Sequence, residues 1–194
     1  MLVAIVFSFG LFNTSAEAEL INFSFGGTAD FSIDGTANPA VDFLLLADAD
    51  TDNVSTDVFD QNLLFLNHDS ATIDLGDLGL FTLTGTSSFT NQSTGVYGLG
   101  ETNVGFVEFD VNDSFFESYD LSTSFGPLSL DVVNNSASFV ASSNGSTSTI
   151  SITDFVGPIS VSALVGTTTI PEPSSSSLLA LALTGVAMVR RRSA

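Results

Sequence analysis

The sequence lacks cysteine, lysine and tryptophan, and its only three basic residues, Arg190, Arg191 and Arg192, are consecutive near the end of 194 residues. Each absence removes a class of function. Without cysteine there is no disulfide framework, no thiol nucleophile and no thiolate metal site. Without lysine there is no P-loop and no Schiff base. Residues 1–189 hold no permanently cationic side chain, and His68 is the one side chain there that can become cationic. Such a chain has nothing with which to neutralise phosphates, which excludes DNA or RNA binding by counterion release.

What is present is acid. Asp and Glu number 22 and give a formal net charge of −19; all but Glu17 and Glu172 fall within residues 19–169. The mean hydropathy is nevertheless positive. Two apolar ends account for much of this. Residues 2–12 (LVAIVFSFGLF) form a run too short to span a bilayer, followed by Asn13, Thr14, Ser15 and then Ala16-Glu17-Ala18. A short apolar region before an A-x-A site predicts a secretory signal peptide over 1–18, with Ala16 and Ala18 marking cleavage. It departs from the usual pattern in having no basic residue between Met1 and the apolar run, so the expectation is either a start further upstream or a weak export signal.

At the other end, Pro171, Glu172 and Pro173 precede four serines, an apolar run over 178–189 and the three arginines. The prolines fix φ and bias their predecessors away from helix, holding the motif extended. The Leu/Ala-rich run that follows is made of strong helix formers without charge. Residues 174–189 give about 24 Å of helix against a bilayer core of about 30 Å, a short span that arginine snorkelling and local thinning would accommodate. The arginines place its far end in the cytoplasm. These parts, in this order at a C-terminus, resemble the PEP-CTERM sorting signal of Gram-negative bacteria. The resemblance covers residues 170–194 alone. It implies recognition by an exosortase-like membrane enzyme, processing near Pro171, Glu172 and Pro173, and delivery to the cell surface or the exopolysaccharide matrix.

The body, residues 19–169, alternates with period two. Ile21, Phe23 and Phe25 alternate with Asn22 and Ser24; Val107, Phe109 and Val111 flank Glu108 and Asp110; Leu128, Leu130 and Val132 flank Ser129 and Asp131. Gly26-Gly27, Asp34-Gly35, Asn144-Gly145 and Gly157-Pro158 read as turns. Many short strands with frequent turns predict an all-β fold: one antiparallel β-sandwich, jelly-roll-like domain. Residues 41–47 (VDFLLLA) read as a buried strand or a short helix. Gly-Thr-Ala at 27–29 recurs at 35–37, which fits two arms of one hairpin.

Three clusters carry candidate chemistry. Asp48, Asp50 and Asp52, with Asp57 and Asp60 after them, offer alternating hard oxygen ligands that suit Ca²⁺ if they stand in a loop. An EF-hand does not fit, because its sixth position holds Asn53 and its twelfth Phe59. The plain alternative is a solvated acidic loop. His68-Asp69 offers a base and an acid for a serine triad, but no G-x-S-x-G elbow accompanies it, and a polar turn between strands is the simpler reading. Glu101, Glu108 and Glu117 offer a carboxylate pair for glycoside hydrolysis, although Glu108 and Asp110 alternate as on a solvent face and no tryptophan is present to line sugar subsites.

The sequence therefore predicts a non-catalytic exported protein without resident cofactor, delivered by the Sec route. Its acidic β-domain would be held through the C-terminal helix, oriented by Arg190, Arg191 and Arg192, and sorted into the surface or exopolysaccharide layer. A calcium-dependent polysaccharide-binding module and a secreted glycoside hydrolase stand as the alternatives.

Overall fold

A computed structural model describes residues 19–101 and 108–166. The expected leader with Ala16 and Ala18, the Pro171–Glu172–Pro173 motif, the apolar run and the three arginines all lie outside the described residues. Among those described, the strands run β1 (Leu20–Ile33), β2 (Thr36–Asp50), β3 (Ser55–Thr56), β4 (Leu63–Asn67), β5 (Ser70–Asp74), β6 (Leu80–Leu83) and β7 (Thr86–Asn91). Then come β8 (Val96–Glu101), β9 (Glu108–Asn112), β10 (Phe125–Leu130), β11 (Val132–Asn135), β12 (Ala137–Ser143), β13 (Ser146–Phe155) and β14 (Ile159–Gly166). Short 3-10 turns occupy Thr51–Asn53, Gly76–Leu78 and Ser114–Ser118. No helix among the described residues is long and apolar enough to cross a membrane.

The period-two pattern explains the strands. On β1, Ile21, Phe23 and Phe25 are buried while Asn22 is exposed. On β2, Phe43, Leu45, Ala47 and Ala49 point inward, between outward Leu44, Leu46 and Asp48. Residues 41–47 are thus strand rather than helix, because the alternation continues unbroken to Ala49 and β2 finds partners on both sides. Every pairing is antiparallel: β2 lies along the whole of β1 and also along β5.

That double pairing departs from the expected sandwich. One sheet has the order β10-β14-β1-β13-β12-β6-β5-β2, and the extra β1–β2 pairing closes six of its strands into a ring. A second, open sheet has the order β11-β9-β8-β7-β4-β3 and lays its apolar face against the first. Phe25 stacks on Tyr97 across this junction, with centroids 5.6 Å apart, and meets Phe109 edge-on at 5.4 Å. Phe23, Phe25, Phe31, Phe109, Phe116 and Phe139 are all essentially inaccessible. Each contributes about 2 kcal/mol by leaving water. The all-β expectation holds, while the jelly-roll arrangement gives way to a closed ring plus a sheet.

Gly26-Gly27, expected as a turn, is the interior of β1. The strand pairs with β14 over Leu20 to Gly26 and with β13 from Ala29 onward. Gly27 sits where one partner replaces the other, and a Cβ there would stand 3.0 Å from Ile159 Cγ2. Glycine serves close approach here, not chain reversal. The other turn signals hold. Asp34 and Gly35 (φ 48° and 83°) and Asn144 and Gly145 (φ 51° and 80°) adopt the left-handed pairs that two-residue hairpins require. The repeated Gly-Thr-Ala does fall on one hairpin, although Ala37 pairs with Ser32 rather than with its counterpart Ala29.

The edges are guarded. β3 is two residues long, β10 carries Pro127, and β11 is four residues with an irregular register against β9. Short, proline-bearing or bulged edges resist pairing with other chains. The irregularity at β11 also overturns the solvent-face reading for Asp110, which is buried and accepts the Asn134 N–H at 3.1 Å.

Candidate functional site

The acidic side chains are largely engaged with backbone. Asp50, Asp57, Asp60, Asp74, Asp113 and Asp120 each accept the N–H two residues further on, at 2.7 to 3.0 Å. This is the Asx turn, in which a short carboxylate satisfies a donor that no strand reaches. Asp30 and Asp34 do the same across the fold, accepting from Ala40 N at 2.7 Å and Thr149 N at 2.8 Å. Hydrogen bonds to a charged acceptor are stronger than neutral ones, so these aspartates fix loop geometry.

Asp48 and Asp50 stand on the outward face of β2, and only Asp52 lies in a turn. The acidic loop expected for calcium is therefore mostly strand. Asp48 Oδ2 accepts the Ser70 hydroxyl at 2.9 Å, Asp50 Oδ1 caps the Thr51–Asn53 turn, and Asp52 is exposed. Among the described residues no three His, Asp or Glu side chains converge as a metal-ligand set. Asp57 and Asp60 serve the following turn, Asp57 accepting from both Phe59 N and Asp60 N. A shallow recess between Val41 and Leu75 carries Asp42 and Asp77 on its rim, with Asp42 bonded to the Thr28 hydroxyl at 2.6 Å.

His68 occupies the crossing from β4 in one sheet to β5 in the other. Its N–H bonds to Thr86 O and the next N–H, of Asp69, to Asp48 O, so adjacent residues tie into opposite sheets. The polar turn expected here is correct for the backbone. The ring, however, turns inward: Nδ1 lies 2.9 Å from Thr86 Oγ1, Nε2 lies 2.9 Å from Ser88 Oγ, and Phe23 packs 5.6 Å away. One ring nitrogen donates and the other accepts, and the hydroxyls rotate to match. Burial lowers the imidazole pKa to about 3.

The arrangement pairs a histidine with a serine, yet it lacks the features of a triad. Thr86 rather than a carboxylate meets Nδ1, Asp69 being directed elsewhere through its backbone. Ser88 is 0% exposed, and burial, by lowering the His68 pKa to about 3, leaves the ring a weak base. The cluster is a polar pin between sheets. Thr86, Ser88 and Thr90 share the inward face of β7, a buried polar stripe whose Ser/Thr composition reads as surface in sequence. Next to it, the Tyr97 hydroxyl is fully buried without a hydrogen-bond partner. Burial pushes its pKa well above the ordinary phenol range, Tyr119 adds to this, and Ser88 opposes it.

The three glutamates do not assemble as one site. Glu101 ends β8 and Glu108 begins β9, which places their backbones at one end of that hairpin. Glu117 lies exposed on the Ser114–Ser118 turn, by Gly95 at the hairpin's other end.

Comparison with known proteins touches only the C-terminus. Residues 169–192 match the family model of the PEP-CTERM protein-sorting motif. No curated protein and no solved structure matches the chain.

Proposed function

With a PEP-CTERM sorting motif at residues 169–192 as the premise, we propose that the protein is exported, non-catalytic cargo for the cell surface or exopolysaccharide matrix. The motif implies export, membrane-associated sorting in a Gram-negative bacterium and processing by an exosortase-like enzyme. Pro171, Glu172 and Pro173 form the extended recognition stretch, residues 178–189 hold the chain in the membrane, and Arg190 to Arg192 orient it.

The single observation that carries this reading is the motif match. The state of the body supports it: its aspartates bridge turns, and its one histidine is neutral and interior. A surface polyanion also keeps such a body soluble among acidic polysaccharides. The test is fractionation of the producing bacterium with the full chain and with a chain lacking 170–194. The full chain is expected in envelope or matrix, shortened after processing, and the truncated chain in the soluble exported fraction. Replacing Pro171 and Pro173 with alanine should accumulate the unprocessed length. A truncated chain that fractionates like the full one removes the sorting reading.

A further inference from the structure

Asn144 is the one asparagine in the chain followed by glycine, and the pair forms the two-residue turn between β12 and β13. Ser143 pairs with Ser146 at its base, and both turn residues are exposed and left-handed, at φ 51° and 80°. The tip is open: a Cβ built on Gly145 meets no atom within 4 Å. Among the described residues, neither the Asn144 side-chain amide nor the Gly145 N–H makes a hydrogen bond.

The comparable turn at Asp34–Gly35 is held in place. Asp34 Oδ1 accepts the Thr149 N–H at 2.8 Å, and the Asp34 N–H bonds to Thr149 O at 2.9 Å. The side-chain amides of Asn62, Asn91 and Asn112 are engaged as well, with Asp60, Ser93 and the Thr94 carbonyl. Asn38 precedes Pro39, which has no N–H. Asn144 alone among these combines a free amide, a free neighbouring N–H and a neighbour without a side chain.

We propose that Asn144 is a site of spontaneous deamidation. The Gly145 nitrogen gives its proton to solvent base and attacks Asn144 Cγ. A five-membered succinimide closes, and the side-chain nitrogen leaves as ammonia. Water then opens either ring carbonyl, which gives aspartate or an isoaspartate whose Cβ has entered the main chain. Asparagine is a thermolabile residue, and this route needs no enzyme, metal or oxidant. Each event adds a negative charge to a body with no lysine or arginine to offset it. Isoaspartate also lengthens a turn that has only two residues in which to reverse the chain. The strain falls on the polar pairs Ser143–Ser146 and Ser142–Thr147, while Phe139 and Ile150 further down the hairpin stay buried. The change thus marks the age of each molecule at a hairpin tip.

The full chain is incubated in mildly alkaline buffer, folded and in parallel in urea, and then digested at acidic residues. The 132–154 segment contains Asn134, Asn135 and Asn144, and tandem mass spectrometry assigns a gain of one mass unit among them. In the folded chain the gain is expected at Asn144 roughly tenfold or more faster than at Asn62, Asn91 or Asn112, since glycine leaves the attacking nitrogen unhindered. The product separates into two species of equal mass, and Asn144→Gln abolishes both. A gain at Asn144 in urea but not in the folded chain shows that the turn protects the residue, and overturns the proposal. Equal rates at all four asparagines, or a gain that persists in Asn144→Gln, overturn it as well.

Discussion

His68 Nε2 lies 2.9 Å from Ser88 Oγ, and this contact joins the chain's one histidine to the inward face of the open sheet. Burial of this ring makes stability depend on pH in a definite direction. The folded pKa is lowered to about 3, whereas an unfolded histidine titrates near 6.5. Between these values the unfolded chain binds the proton and the folded chain does not. Stability from this group is therefore complete above about pH 6.5 and falls by about 1.4 kcal/mol per pH unit below it, toward pH 3. Urea unfolding from pH 7 to pH 4.5 should show this slope, and His68→Gln should flatten it. Equal slopes in the two proteins would remove His68 as the cause.

Tyr97 stacks on Phe116 at 4.8 Å, while its hydroxyl has no partner. An unpaired buried polar group costs about 1 to 3 kcal/mol. Tyr97→Phe keeps the rings and deletes the orphan, so the unfolding midpoint should stay level or rise, with a gain near 1 kcal/mol. A loss of 1 kcal/mol or more would reveal that Ser88 or a buried water bonds to that hydroxyl.

Gly98 pairs with Phe89 across β7 and β8. A Cβ at 98 would overlap the carbonyl oxygen of Phe109 and stand 2.7 Å from the Phe89 ring. Gly98→Ala should cost about 3 kcal/mol or more, whereas Gly126→Ala, with open space around it, should change stability by about 0.5 kcal/mol or less. Denaturation of the two variants side by side reads the difference, and similar losses would mean that the strand shifts to accommodate the methyl.

The described body has many carboxylates and no permanent side-chain cation, so self-repulsion opposes folding at low ionic strength. The melting temperature should rise between about 10 mM and 500 mM NaCl, as the screening length shrinks from about 30 Å to below 10 Å. At matched ionic strength CaCl₂ should act like NaCl, because Asp48, Asp50 and Asp52 divide between a strand face and a turn. A distinctly larger rise with calcium would restore a specific site at that end.

Much of the fold is legible in the alternation. Ala47-Asp48-Ala49-Asp50 already has period two, and reading it as strand rather than as ligand loop would have placed the aspartates on the face where the structure finds them. Gly26-Gly27 could not be read correctly, since the same residues serve a turn and a close approach, and only the position of Ile159 decides between them. Closure of the ring depends on β1 and β2 finding partners on both sides, which no local pattern records. The Thr86 and Ser88 pin was hidden for a different reason. Hydroxyls on a strand signal solvent unless a buried partner such as His68 is known to satisfy them.

The pairing of Leu20 with Gly166 also sets a schedule. A chain exported from its N-terminus delivers β1 first and β14 last among the described strands. β1 can form its hairpin with β2 early, but its contacts with β13 and β14 wait for nearly the whole body to cross. Contacts so distant in sequence are the slow ones in folding. The first sheet is therefore completed only as residue 166 emerges, five positions before Pro171. Completion of the sheet thus waits on the last described strand, and a chain cut short before β14 leaves β1 without a partner along that side from Leu20 to Gly26.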